Sequence, residues 1–127
     1  MRACDVMQKG IISVSPELAL KDFEDLLTSE DISGAPVTGT DGKIVGVASK
    51  TDIVRVLADE ANQRDVLAPQ LSVEDIMTTD VVTVGPDAEL RDVARVMIDG
   101  NLHRVIVTDG DDVLGIVTTF DLLAAVY

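Results

Sequence analysis

The sequence predicts an α+β (α/β) protein made of two copies of one β-α-β-β-α unit, and three observations predict it. Asp5, Met7, Val14, Pro16, Leu20, Asp22, Val37 and Thr38 match Asp75, Met77, Val84, Pro86, Leu90, Asp92, Val107 and Thr108 at a constant offset of 70, and Gly46 and Asp52 match Gly115 and Asp121 at 69. Short β-branched runs alternate with apolar stripes of helical period in both copies. The 127 residues are 46% apolar, which indicates a folded core, and with two Phe, one Tyr and no Trp that core is aliphatic. Each copy is too small to bury its apolar face alone, so the copies are expected to pack on each other with function between them.

Residues 11–14 and 81–84 read as strands, ended by Ser15-Pro16 and Gly85-Pro86. Proline can open a helix there, because its missing N–H would be unpaired at that position anyway. The second helix carries Leu90, Val93, Ala94, Met97 and Ile98 at i, i+3, i+4, i+7 and i+8, and the first carries Leu20, Phe23, Leu26 and Leu27. Two hairpins follow, 35–38 with 44–48 around Asp41-Gly42, and 105–108 with 113–117 around Asp109, Gly110, Asp111 and Asp112. The change of offset falls in these loops, where length changes are tolerated. Closing helices are expected over 52–60 and 121–127, burying Ile53, Val56 and Leu57 in one and Leu122, Leu123 and Val126 in the other. Ser72 to Asp75 starts a short helical turn leading into Met77. Repeat 1 therefore spans 1–60, a polar linker with Pro69 spans 61–71, and repeat 2 spans 72–127.

The net charge of −13 repels DNA, RNA and anionic membrane surfaces over about a Debye length, roughly 8 Å at physiological salt. It suits plain solubility or a salt-rich cytoplasm. The single cysteine, Cys4, excludes an internal disulfide and fits a reducing compartment. With no secretory signal pattern and no long apolar run, a cytoplasmic location is expected. The acidic turn of Asp109, Asp111 and Asp112 lacks the glycine and bidentate glutamate of a calcium loop, so no metal site is assigned. No nucleophile is paired by motif with the only histidine, His103, or with Cys4, so no catalytic residue is assigned either.

The motif of greatest chemical interest is Ser49-Lys50-Thr51-Asp52, repeated as Thr118-Thr119-Phe120-Asp121, each at the end of a strand and the start of a helix. A hydroxyl and a carboxylate three residues apart lie beside the exposed N–H groups of the first turn. Such a carboxylate can accept both hydroxyls of a ribose, while the hydroxyl residue and the helix start donate to phosphate oxygens. The same pattern is also a capping box that satisfies the helix's own backbone donors, and the two uses are not exclusive. His103-Arg104 opens the second hairpin where the first has Ser33-Gly34. By charge alone such a pair balances some of the surrounding acid.

Met77-Thr-Thr-Asp-Val-Val-Thr-Val84, Ser33-Gly-Ala-Pro-Val37, His103-Arg-Val-Ile-Val107, Gly46-Val-Ala-Ser-Lys-Thr-Asp52 and Gly115-Ile-Val-Thr-Thr-Phe-Asp121 resemble the recurring motifs of cystathionine-β-synthase (CBS) domains, in order and twice, over essentially the whole chain. The resemblance implies a pseudo-twofold pair of units with two clefts between the repeats that hold an adenosine-containing ligand: AMP, ADP, ATP or S-adenosylmethionine. It further implies a sensor rather than an enzyme, no required cofactor, a homodimer, and a regulated protein partner not identifiable from sequence. The ligand-binding set it assigns is Ser49, Lys50, Thr51 and Asp52; Thr118, Thr119, Phe120 and Asp121; Ser33, Gly34, His103 and Arg104; and the strand-end residues Ser13 and Thr83. With no aromatic platform, the base would meet aliphatic walls such as Val14, Ala35, Val47, Ala48, Val84, Val105, Ile116 and Val117. Because Ser33 and Gly34 carry no charge, the second copy is expected to favour an anion more than the first. Ile106 departs from the family, which often has proline there, as at Pro36; it adds a backbone donor to that strand. The rival reading is a ligand-free dimerisation scaffold, and a hydrolase stands behind both.

Overall fold

The computed structural model describes residues 1–58 and 71–126, so the expected linker, the last residues of the first closing helix, Tyr127 and the side chain of Leu57 lie outside the described residues. The elements are α1 (Ala3–Val6), α2 (Leu20–Ser29), β1 (Gly34–Thr38), β2 (Ile44–Ser49), α3 (Lys50–Ala58), a 3-10 turn (Val73–Asp75), β3 (Thr83–Val84), α4 (Leu90–Asp99), β4 (Arg104–Asp109), β5 (Asp112–Thr118) and α5 (Thr119–Val126). They form two compact units that divide the chain differently from the sequence repeats. One is the continuous stretch Ile12–Asp80; the other joins Met1–Ile11 to Val81–Tyr127.

In the continuous unit, β1 and β2 pair antiparallel with Gly34 opposite Ser49 and a bulge between Val37 and Thr38. Val14 bridges Val37 in parallel on one side, and Thr78 bridges Val47 on the other, its amide and carbonyl each 2.9 Å from their partners. Leu20, Phe23 and Leu27 of α2 press onto this ribbon with Val14, Ala35, Val37, Ala48, Ile53, Val73 and Ile76. The two-segment unit repeats the plan: β3 runs parallel to β4, β4 antiparallel to β5 from Arg104–Thr118 to Asp109–Asp112, and Gln8 bridges Ile116. Its core joins Ala3, Val93, Met97, Val105, Val107 and Val117.

The sequence places the helix starts too early. Instead of opening helices, Pro16 and Pro86 sit in turns, and α2 and α4 begin four residues later at Leu20 and Leu90. The turn carbonyls are already committed: Pro16 and Leu18 accept from the amides of Glu74 and Val73 at 3.0 and 2.9 Å, and Pro86 and Ala88 accept from Cys4 and Ala3 at 3.0 and 2.8 Å. In return Leu71 and Met1 carbonyls accept the first α2 and α4 amides, Leu20 and Leu90. Helix starts leave donors that something must satisfy, and here backbone from outside the copy that holds the helix does so.

Both helices end in a Schellman turn. Ile32 donates to Leu27 and Leu102 to Met97, at 3.0 and 2.8 Å, with Asp31 and Asn101 left-handed at φ 52. The turns aim Ser33-Gly34 and His103-Arg104 into β1 and β4. The strands predicted at 11–14 and 81–84 shrink to one bridging residue and to two residues. Pro36 lacks the donor that Ile106 has, and Ile106 N–H reaches the Val82 carbonyl at 3.4 Å, so only the second copy extends its ladder. Three residues assigned to buried faces are exposed: Ile98 (71%), Leu123 (60%) and Val126 (80%). In α5 Leu122 packs against the described core, whereas Leu123 and Val126 turn to solvent.

Gly46 and Gly115 are required by space. A Cβ on Gly46 would lie 2.7 Å from Met77 Sδ and 2.9 Å from the Thr78 carbonyl; on Gly115 it would lie 2.6 Å from Met7 Sδ and 2.8 Å from the Gln8 carbonyl. The methionine can swing aside but the bridging backbone cannot. Gly46→Ala and Gly115→Ala are therefore expected to lower stability by about 1–3 kcal/mol each, measured by urea denaturation. Met77→Ala added to Gly46→Ala should recover only part of the loss, since the carbonyl clash remains.

Candidate functional site

The two Ser/Thr-x-x-Asp motifs sit where a strand hands over to a helix. Gly34 is the register partner of Ser49, and the Ser33 carbonyl accepts the Lys50 amide at 2.9 Å. Arg104 likewise pairs with Thr118, and the His103 carbonyl accepts the Thr119 amide at 3.0 Å. The fold thus gathers Ser33, Gly34, Ser49, Lys50, Thr51 and Asp52 in one unit, and His103, Arg104, Thr118, Thr119, Phe120 and Asp121 in the other. Ser33, Lys50, Thr51, His103, Thr119 and Phe120 are exposed, Gly34 is buried and Arg104 is half-buried.

Each motif closes as a capping box. Asp52 Oδ2 accepts the Ser49 amide at 2.9 Å and its hydroxyl at 3.1 Å, while the Asp52 amide donates back to Ser49 Oγ at 3.4 Å. Asp121 Oδ2 accepts the Thr118 amide and hydroxyl at 2.8 and 3.0 Å, and the Asp121 amide donates to Thr118 Oγ1 at 3.2 Å. Tying the carboxylate down this way fixes its position before any ligand arrives. Asp52 is 5% exposed and Asp121 is half-buried.

The outer oxygens differ. Asp52 Oδ1 accepts from Arg55 Nη1 at 3.0 Å, one helical turn along α3. Asp121 takes the Gln8 amide instead, with Nε2 3.2 Å from Oδ1 and 3.3 Å from Oδ2. Neither Arg55 nor Gln8 was among the residues the sequence suggested. The i,i+3 spacing of Asp52 and Arg55 was a usable signal. Gln8 gave none, because it reaches Asp121 from far away in the chain. Arg55 also means that the first copy's motif has its own cation, which weakens the expectation that anion preference belongs to the second copy alone.

Ser13 precedes the bridging residue Val14 and lies on no strand, Thr83 stands on β3 opposite Ile106, and neither joins the hydrogen bonds around the carboxylates. Of the suggested apolar walls, Val14, Ala35, Ala48, Val105 and Val117 belong to the packed cores. Among the described residues, no group of three or more His, Cys, Asp or Glu side chains is placed to hold a metal ion, and no helix is long and apolar enough to cross a membrane.

The sequence profile of the CBS domain matches residues 3–59 and 73–127. The chain is 30% identical over 149 aligned positions to the uncharacterized protein MJ1426 of Methanocaldococcus jannaschii, covering 95% of this chain and 88% of that protein. It spans 40% and 37% of two longer proteins of the same organism, MJ1225 and MJ1232. The CBS domain pair of MJ0100, solved in complex with 5′-methylthioadenosine and S-adenosyl-L-methionine, superposes with a TM-score of 0.87 at 27% identity, over 99% of this chain and 95% of that one. CBSX2, solved in complex with AMP, superposes with a TM-score of 0.83 at 25% identity, over 98% and 95%.

Because each carboxylate caps its own helix, Asp52→Ala and Asp121→Ala are expected to cost about 0.5–2 kcal/mol of stability with no ligand present, read as a lower urea midpoint. Asp52→Asn and Asp121→Asn keep an oxygen for the cap and should lose less.

Proposed function

The chain belongs to the CBS domain family, and from that premise we propose that it is a regulatory module that binds an adenosine-bearing ligand (AMP, ADP, ATP or S-adenosylmethionine) through Asp52 and Asp121 and relays the binding to a protein partner. The observation that carries the reading is the carboxylate geometry at both motifs. One oxygen is fixed by the cap, and the other is held by a side chain that can swing away, Arg55 or Gln8. A carboxylate has about four acceptor positions. Once the swinging donor leaves, the outer oxygen is open to a ribose hydroxyl while the cap keeps the group in place. Lys50, Arg55 and Arg104 supply cationic donors for a phosphate-bearing ligand, and His103 a ring N–H. The ligands bound by MJ0100 and CBSX2 support the adenosine assignment. No catalytic step, metal or required cofactor enters this reading, and a cytoplasmic setting fits the single cysteine.

We assign the homodimer face to α5, where Phe120 (75% exposed), Leu123 and Val126 form one apolar side in the single chain. Phe120 then serves dimerisation rather than the ligand. A ligand-free dimerisation scaffold is the second reading, favoured by one observation: both carboxylates are already satisfied within their own chain.

Two experiments test these assignments. Saturating AMP, ATP, 5′-methylthioadenosine or S-adenosylmethionine should raise Tm, with a stabilisation of about 2.7 kcal/mol at one hundred times Kd. The Asp52→Asn, Asp121→Asn double variant should bind at least about tenfold more weakly in calorimetry. A wild-type protein that none of these ligands shifts favours the scaffold. In analytical ultracentrifugation the wild type should sediment as a dimer and Leu123→Asp as a monomer, because burying one unpaired carboxylate in an apolar interface costs more than such a contact returns.

A further inference from the structure

We propose that Gln8 is a built-in competitor at the Asp121 motif: its side-chain amide occupies the carboxylate in place of the ligand's diol, so that binding there must displace a neutral side chain. The inference rests on the adenosine-binding reading and goes beyond it by naming a competitor internal to the protein.

The two motifs differ at two equivalent positions. Gln8 corresponds to Thr78, whose hydroxyl is two bonds shorter, and Arg55 corresponds to Ala124, which has no donor. Each carboxylate therefore has one holding group of a kind the other lacks. Arg55 holds Asp52 by charge and is itself attracted to any phosphate that arrives. Gln8 holds Asp121 with a single amide shared between both oxygens at 3.2 and 3.3 Å, and it has no charge to offer a phosphate. A ribose hydroxyl needs the outer of these oxygens as its acceptor, since the cap keeps the other. Diol and Gln8 amide are thus competing donors for one carboxylate, whereas Arg55 can leave Asp52 and stay in the complex as a partner of the anion.

The Gln8 side chain can be tested without moving its backbone. The Gln8 backbone N–H donates to the Ile116 carbonyl at 2.8 Å and its backbone carbonyl accepts from the Ile116 N–H at 3.1 Å, and Met7 packs against Gly115 beside it. Gln8→Ala removes the competitor and leaves this anchorage.

The experiment is calorimetric titration of adenosine and AMP into Gln8→Ala and Gln8→Glu, each in the wild-type and Asp52→Asn backgrounds. The latter isolates the Asp121 motif while preserving the other cap. Removal of one competing hydrogen bond should tighten adenosine binding by about three- to tenfold in Gln8→Ala. Gln8→Glu, which sets a second carboxylate against Asp121, should perturb the site in a direction opposite to any ligand contact by Gln8, weakening AMP more than adenosine. Unchanged or weaker adenosine binding in Gln8→Ala overturns the proposal while leaving the adenosine-binding reading intact. Absence of binding in every protein, wild type included, overturns both. A ligand-independent check is the Gln8 side-chain amide signal in NMR spectra: Asp121→Asn should move it, and an unmoved signal overturns the proposal whatever the titrations give.

Discussion

The backbone groups flanking α2 and α4 cannot be satisfied by the sequence copy that contains them. The carbonyls of Pro16, Leu18, Pro86 and Ala88 and the amides of Leu20 and Leu90 find their partners in residues 71–74 and 1–4, of which Leu71 ends the linker and the others belong in sequence to the opposite copy. The same exchange completes each sheet, with Thr78 on β2 and Gln8 on β5. Leaving such groups unpaired in a folded interior costs roughly 1–3 kcal/mol apiece. One repeat folded without that exchanged segment would have to bear the cost several times over. The unit of folding is therefore a repeat body plus the lead-in segment of its counterpart, and this is why the compact units do not coincide with the repeats.

The candidate site grows from the same arrangement. Gly46 and Gly115 are bare of a side chain because the exchanged segment passes within contact distance of them, six residues before Asp52 and Asp121. The Schellman turns then bring Ser33 and His103 against the first turn of α3 and α5, and the capping boxes lock the carboxylates. Stability and binding share these atoms. A substitution at either aspartate acts on both, so charge-removing variants that retain an oxygen distinguish them better than truncation does.

A second consequence concerns asymmetry. The chain keeps the capping geometry of its two copies nearly identical, within a few tenths of an ångström, and varies what touches the outer oxygen. Duplicated halves can in this way retain one binding chemistry and differ in how readily each is released, through side chains that the folding of the unit does not need.

Periodicity and offset made most of the architecture readable in advance. Phe23 and Leu27, Val93 and Met97, both hairpins and both Ser/Thr-x-x-Asp helix starts depend on neighbours close in the chain, and local spacing carries that information. What local spacing could not carry was which copy owns residues 1–11 and 72–80, why the prolines introduce turns instead of helices, and the exposure of Leu123 and Val126. The Gln8 contact with Asp121 belongs with these. Each depends on a hydrogen bond or a packing surface joining residues far apart along the chain, and a repeated sequence offers two equally good partners for every such contact. Choosing between them takes the folded backbone, where only one donor lies within reach of each acceptor.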